Sequence, residues 1–262
     1  MRVHGFVAAA LVAGLGVVAW CMGTVDQPLF PTSPAALKAR VLRAYPHDRS
    51  AFTQGLIWRD GLLYESTGLV GRSSLRKVEL ATGAVRQQVP VPAPYFAEGL
   101  ADVGNRLFQL TWQHGRVLVY DKNTLGRVGE LSYEGEGWGL CHDGRALVMS
   151  DGGDQLTVRA PDTFDVIRTV SVTMEGRPLG RLNELECVGG DVYANVWTTD
   201  TIVRIDVKTG AVTARIDASG LLTPAESVGT DVLNGIAYDP ADQTFLITGK
   251  LWPKVFRVRF GA

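Results

Sequence analysis

One short pattern returns five times along this chain and limits what it can become. Phe52-Thr53-Gln54-Gly55-Leu56 is followed by Phe96-Ala97-Glu98-Gly99-Leu100, Gly137-Trp138-Gly139-Leu140, Leu182-Asn183-Glu184-Leu185 and Leu233-Asn234-Gly235-Ile236. The residue ahead of the Gly-Leu step, or of its equivalent, is Gln54, Glu98, Trp138, Asn183 and Asn234 in turn, at spacings of 44, 40, 45 and 51 residues. Periods of this length mark a radial array of small sheets. Glu98 is the only formal charge among the five positions.

Each copy continues alike. A turn rich in Gly and Asp follows the first strand: Asp60-Gly61, Gly104-Asn105, Asp143-Gly144, Gly189-Gly190 and Asp239-Pro240. Such pairs suit tight hairpins. A second apolar strand then runs to a polar or aromatic end, as in Leu107-Phe108-Gln109-Leu110-Thr111-Trp112. Third strands are predicted at 74–80, 116–121, 155–159, 202–207 and 255–260, mostly alternating apolar with polar residues as strands near a rim should. Fourth strands such as 84–89 and 211–216 complete the unit. Four strands in each of five repeats predict an all-β fold, a five-bladed β-propeller. The last repeat stops after three strands, while 38–44 (KARVLRA) reads as a strand with no hairpin partner. That N-terminal strand is expected to close the last blade.

Ahead of it, 1–22 reads as a targeting segment and 23–37 as a Pro-rich linker, leaving 38–262 as the five-bladed propeller domain. Arg2 precedes the apolar run FVAAALVAGLGVVAW, which suits a cleaved signal peptide or an uncleaved membrane anchor. Either form predicts an exported protein, periplasmic or secreted, touching membrane only through that anchor. In an oxidising compartment Cys141 and Cys187 can pair, or they can remain buried thiols. The absence of Cys-x-x-Cys or His/Cys clusters gives no case for zinc. A net charge of −1, with no basic stripe, speaks against nucleic acid as a partner.

In a propeller the first strand of each blade lines the central channel. The residues before the Gly-Leu steps should therefore converge, together with the ends of the second strands, Gly68, Trp112, Gly152, Trp197 and Lys250. Phe52, Phe96, Trp112, Trp138 and Trp197 would then surround one carboxylate, one amine and the amides of Gln54, Asn183 and Asn234. Apolar walls with a few convergent polar groups are the composition of a small-ligand site. Taken singly, the tryptophans also suit blade packing, the amides suit strand-end caps, and Lys250 suits a solvated strand end. Glu98 is harder to explain that way, because a carboxylate beside Phe96 on an innermost strand is costly without a partner or a role.

Tyr45-Pro46-His47-Asp48, Ala51-Phe52-Thr53-Gln54-Gly55-Leu56 and Tyr64-Glu65-Ser66-Thr67-Gly68 resemble the opening of the plant-type and bacterial glutaminyl-peptide cyclotransferases. The stretches Phe96-Ala97-Glu98-Gly99-Leu100, Glu136-Gly137-Trp138-Gly139-Leu140, Leu182-Asn183-Glu184-Leu185-Glu186, Asn195-Val196-Trp197, Leu233-Asn234-Gly235-Ile236-Ala237 and Thr248-Gly249-Lys250 continue that resemblance in order. It implies a five-bladed propeller that converts the N-terminal glutamine of a peptide or protein to pyroglutamate with release of ammonia. It further implies an essential glutamate at Glu98 and pocket residues at Phe52, Gln54, Phe96, Trp112, Trp138, Asn183, Trp197 and Lys250. No cofactor is required on this reading, although members of the family can hold a non-catalytic metal ion in the central channel. Ala97 departs from the family's usual glycine without touching a functional atom.

The chemistry suits such a pocket. The nucleophile already sits in the substrate, so orientation supplies much of the rate. A single carboxylate, Glu98, can take the proton from the amine and give one to the departing nitrogen. Asn183 and Lys250 are candidates to steady the oxyanion or hold the amide. The expected partners are Gln-initiated peptides, and the expected state is a monomer. Two other readings fit less of the pattern. A metal-dependent propeller lactonase would use more carboxylates than the single Glu98 expected on the inner ring. A non-catalytic peptide-binding propeller would have no need of that carboxylate.

Overall fold

The computed structural model describes Met1 and residues 33–262, and within them every regular element is a β-strand. The proposed signal or anchor after Met1, and residues 23–32 of the proposed linker, lie outside the described residues, while the linker's last three residues, 35–37, belong to the first strand. The first strand, β1 (Ala35–Pro46), begins three residues earlier than 38–44 implied and ends two later.

Four-stranded antiparallel sheets follow in chain order. Blade one is β2 (Thr53–Arg59), β3 (Leu62–Thr67), β4 (Ser74–Glu79) and β5 (Ala84–Pro90). Blade two is β6 (Ala97–Val103), β7 (Arg106–Thr111), β8 (Arg116–Asp121) and β9 (Arg127–Ser132). Blade three is shorter: β10 (Leu140–His142), β11 (Leu147–Ser150), β12 (Gln155–Arg159) and β13 (Val166–Ser171). A small hairpin that the repeat pattern does not foretell, β14 (Thr173–Met174) and β15 (Arg177–Pro178), precedes blade four. That blade is β16 (Leu182–Val188), β17 (Asp191–Val196), β18 (Thr201–Asp206) and β19 (Val212–Asp217). Blade five has β20 (Leu233–Asp239), β21 (Thr244–Gly249) and β22 (Lys254–Gly261), with β1 antiparallel to β22 as its outer strand.

β1 does more than close blade five. Its first residues also pair in parallel with β19, Ala35 to Ala214 through Lys38 to Asp217, which joins blades four and five into one eight-stranded sheet. The sequence pattern does not foretell this second pairing.

Five apolar seams show why the sheets form a ring. One seam packs blade one on two (Ile57, Leu75, Leu100, Leu118), the next blade two on three (Phe108, Leu110, Leu147, Met149). Further seams join three to four (Val148, Leu156, Leu185, Val203) and four to five (Ile216, Ile236, Phe256). The fifth packs Leu56 and Leu63 of blade one against Ala237 and Leu246 of blade five. Each inner strand is buried on both faces, whereas β5 and β9 are largely exposed and polar on their outer sides. The Gly-Leu steps serve this packing. A Cβ on Gly99 would lie 2.5 Å from the Leu140 backbone nitrogen, and one on Gly139 would lie 2.0 Å from the Asn183 carbonyl oxygen. Those glycines let neighbouring innermost strands approach backbone to backbone. Cys141 on β10 and Cys187 on β16 form a disulfide, Cα to Cα 5.5 Å, across the seam between blades three and four.

Candidate active site

The starts of the innermost strands and the ends of their partners meet around a cavity of about 320 Å³. Phe52, Gln54, Phe96, Glu98, Trp112, Trp138, Asn183, Trp197 and Lys250 line it. Nine of the ten expected residues are thus brought together. The tenth, Asn234, is fully buried one layer behind them.

Backbone pairing explains the convergence. The Trp112 N–H donates to the Phe96 carbonyl at 2.9 Å, and the Trp197 N–H donates to Arg181 at 2.8 Å. Lys250 donates likewise to Val232 at 2.9 Å, so three second-strand ends are held against first-strand starts in one register. Trp138 precedes β10 and is held by its N–H to Ser150 (3.0 Å) and its carbonyl to the Gly99 N–H (2.7 Å). Two of the second-strand ends are glycines because rings lie over them. A Cβ on Gly68 would come within 2.3 Å of Phe96, and one on Gly152 within 2.8 Å of Trp138.

The walls are aromatic edges. Phe52 meets Phe96 edge-on at 6.1 Å between centroids, Phe96 meets Trp112 at 5.7 Å, and Trp138 meets Trp197 at 5.5 Å. Trp112 and Trp197 are 36% and 39% exposed, which places them at the mouth and not in blade packing.

At the base, Glu98 is 5% exposed. Its Oε1 accepts from the Gln54 amide nitrogen at 2.9 Å, and Gln54 in turn accepts from the Asn234 amide nitrogen at 3.2 Å. Asn234 also donates to the Thr53 carbonyl at 3.0 Å, so it is both strand cap and second link of a relay to Glu98. Burial pushes the Glu98 carboxyl well above the ordinary carboxylate range; Lys250 pulls it partly back and Glu136 adds to the rise. The Lys250 ammonium lies 4.9 Å from the centre of the Phe52 ring, a cation–π contact. Burial lowers its pKa, and the fields of Glu98 and Asp231 oppose that fall. The amide oxygen of Asn183 is buried without a hydrogen-bond partner and belongs to a residue lining the cavity. An orphaned acceptor there is costly unless a ligand satisfies it.

Glu136 is absent from the residues the repeat picks out. Its Oε2 accepts from both indole N–H groups, Trp112 at 2.7 Å and Trp138 at 3.0 Å, while Oε1 accepts from Gln113 at 3.0 Å. One carboxylate therefore fixes two walls. A signal for it exists in the repeat: Glu136 stands two residues before Trp138, as Phe52 and Phe96 stand two before Gln54 and Glu98.

One expectation needs correction. Glu98 is not the sole carboxylate on an innermost strand, because β16 carries Glu184 and Glu186, both buried. Glu184 occupies the glycine place of its repeat and accepts from the Leu56 N–H (3.2 Å) and the Ile236 N–H (2.7 Å), tying blade four to blades one and five. Glu186 accepts from the Tyr238 N–H at 3.0 Å, and burial pushes its pKa up to about 8. These groups bind backbone across the channel. Among the described residues no three His, Cys, Asp or Glu side chains gather to hold a metal ion. The residues present therefore make no side-chain cage for one.

The model of one protein family, glutamine cyclotransferase, matches residues 14–260. This chain belongs to the glutamine cyclotransferase family. A glutaminyl-peptide cyclotransferase of Arabidopsis thaliana is 43% identical over 224 residues, covering 84% of this chain and 70% of the plant protein. The crystal structure of Myxococcus xanthus glutaminyl cyclase superposes with a TM-score of 0.80 at 41% identity, covering 87% of this chain and 99% of that one. The family expected from the short motifs is thus the family found, and the propeller is its fold.

Proposed function

We propose that this chain is a glutaminyl-peptide cyclotransferase that closes an N-terminal glutamine to pyroglutamate and releases ammonia. Family membership carries the activity. The single structural observation that favours a mechanism is the buried carboxyl of Glu98, held by Gln54 in an aromatic cavity and bearing a raised pKa.

The aromatic walls hold the glutamine side chain folded back, so that the neutral α-amine reaches the side-chain carbonyl carbon. As the C–N bond forms, the amine proton passes to the Glu98 carboxylate. The carbonyl oxygen becomes an oxyanion facing the Lys250 ammonium. Asn183 accepts an N–H of the substrate amide through its unpartnered oxygen. Glu98 then returns the proton to the amide nitrogen, the old C–N bond breaks, and ammonia leaves. A carboxyl with an ordinary pKa would be a poor proton acceptor and, near neutral pH, a poor donor; the raised value suits both halves. No step uses a metal.

The direct experiment supplies purified protein with a Gln-initiated peptide and the same peptide N-acetylated. Ammonia and the matching loss of mass should come from the first alone. Equal silence on both peptides would overturn the assignment. A lactonase reading has little support beside this, because Glu184 and Glu186 are bonded to backbone and Asp102 and Asp239 to arginine side chains.

A further inference from the structure

A second cavity of about 200 Å³ is linked to the first through paired backbone. Asp231 and Val232 form part of its lining, and they are bonded to the backbone of Lys250 in the main pocket. The Asp231 N–H donates to the Lys250 carbonyl, and the Lys250 N–H donates to Val232, both at 2.9 Å. The Trp252 indole, also in the lining, donates to the Asp231 carbonyl at 2.9 Å. On its other side the lining includes Asp200, three residues after the mouth residue Trp197. The two cavities therefore share a wall.

The second cavity has a distinct chemistry. Leu221, Leu222, Leu233 and Trp252 are its large apolar residues, and Asp200 and Asp231 are its only charged ones. Neither carboxylate forms an ion pair with a Lys, Arg or His among the described residues. The segment carrying Leu221 to Asp231 is also anchored: the Arg49 guanidinium donates to the Glu226 carbonyl at 3.2 Å and the Val228 carbonyl at 2.7 Å. An apolar floor beneath two carboxylates, Asp200 without an ion-pair partner and Asp231 accepting from the Val232 N–H at 2.6 Å with its field reaching Lys250, suits a long basic side chain, which lays its methylene stem on the floor and brings its charge to the acids.

We infer that this cavity is a subsite for a Lys or Arg side chain at the second or third residue of the substrate peptide. The inference rests on the cyclotransferase reading. A glutaminyl end seated in the main pocket leaves its following residues to exit past the half-exposed Trp112 and Trp197. Each extended residue advances the chain by about 3.3–3.6 Å, so the next two residues stay near the shared wall. On the far side of that wall the Lys250 ammonium lies over Phe52, turned toward the main pocket.

The test compares kcat/KM for Gln-Ala-Ala peptides carrying Lys, Ala or Glu at position two, and the same set at position three, at low and high salt. Partly exposed pairs of this kind favour Lys over Glu by about three- to tenfold at one of the two positions, less at high salt. Asp200→Lys, on an exposed residue, should invert that ratio, and Asp200→Asn should shrink it. Equal kcat/KM for Lys and Glu peptides in the wild type would overturn the subsite, as would a ratio unmoved by Asp200→Lys. No ammonia from any peptide would overturn the enzymatic reading and the subsite with it.

Discussion

Among single residues, Glu136 has the clearest consequence that the repeat did not advertise. Its charge helps raise the Glu98 pKa, while its oxygens hold the Trp112 and Trp138 rings. Glu136→Gln removes the repulsion, so Glu98 should ionise at lower pH and the acid limb of the kcat/KM profile should move down. The substrate's own ammonium contributes equally to both enzymes, so the difference between the two profiles reports the enzyme. Lys250→Met should move the limb the other way, because the lost cation had favoured the carboxylate. Limbs that coincide in all three proteins would contradict the assignment of the limb to Glu98. At this scale the sequence was informative where residues shared a repeat position, and Glu98, Gln54, Asn183 and Lys250 all met as expected. At Glu136 the repeat marked the position but not the role, which depends on bonds between a carboxylate and two rings. It was misleading at Glu184, because no periodicity distinguishes a carboxylate that binds two backbone N–H groups from one that faces substrate.

At the level of elements, a buried ion pair beneath the site joins β1 to blades one and five. His47, just after β1, bonds Glu65 of β3 at 2.9 Å, and its other ring nitrogen meets the Trp252 carbonyl at 2.8 Å. Thr53, next to Gln54, donates to the same Glu65 oxygen at 2.7 Å. Burial works against the charged ring, but Glu65 and the Trp252 carbonyl hold the His47 pKa above 6.5. Burial likewise opposes the Glu65 charge, yet His47, Arg76 and Thr53 hold its pKa below 4.5. The histidine's share of stability is complete below 6.5 and is lost as pH rises through its folded value. The glutamate's share is complete above 4.5 and is lost as pH falls through its folded value. Glu65→Gln should therefore cost about 3–5 kcal/mol in chemical unfolding, with the loss greatest between pH 4.5 and 6.5. A loss under about 1 kcal/mol at every pH would show that the pair contributes little. The motif residues Tyr45-Pro46-His47-Asp48 were legible as part of a resemblance. Their physical role became visible only when blades one and five were side by side.

Across the whole molecule, the ring stands on five seams and one strand that closes it. The repeat count and the missing outer strand were both readable, since each blade needs a fourth strand to cover its third. The parallel pairing of β1 with β19 was not readable, because an exposed strand such as KARVLRA carries no mark of what lies on its second edge. β1 now bridges two blades, so its removal unpairs both. A chain beginning after Pro46 should lose cooperative unfolding, and adding a synthetic 33–46 peptide should restore part of it. A truncated chain that unfolds in one transition with unchanged midpoint would contradict the strand's closing role. The disulfide between Cys141 and Cys187 holds blade three to blade four, and Glu184 ties blade four to blades one and five, so the truncation measures what β1 adds to those ties.

All of these contacts lead to one carboxylate. Ammonia release from a Gln-initiated peptide by wild type and by Glu98→Gln, with both proteins shown to unfold alike, tests that most directly. Loss of general acid–base catalysis predicts a fall in kcat of about 10²- to 10⁴-fold with the fold intact. A Glu98→Gln protein that releases ammonia at the wild-type rate would contradict the account.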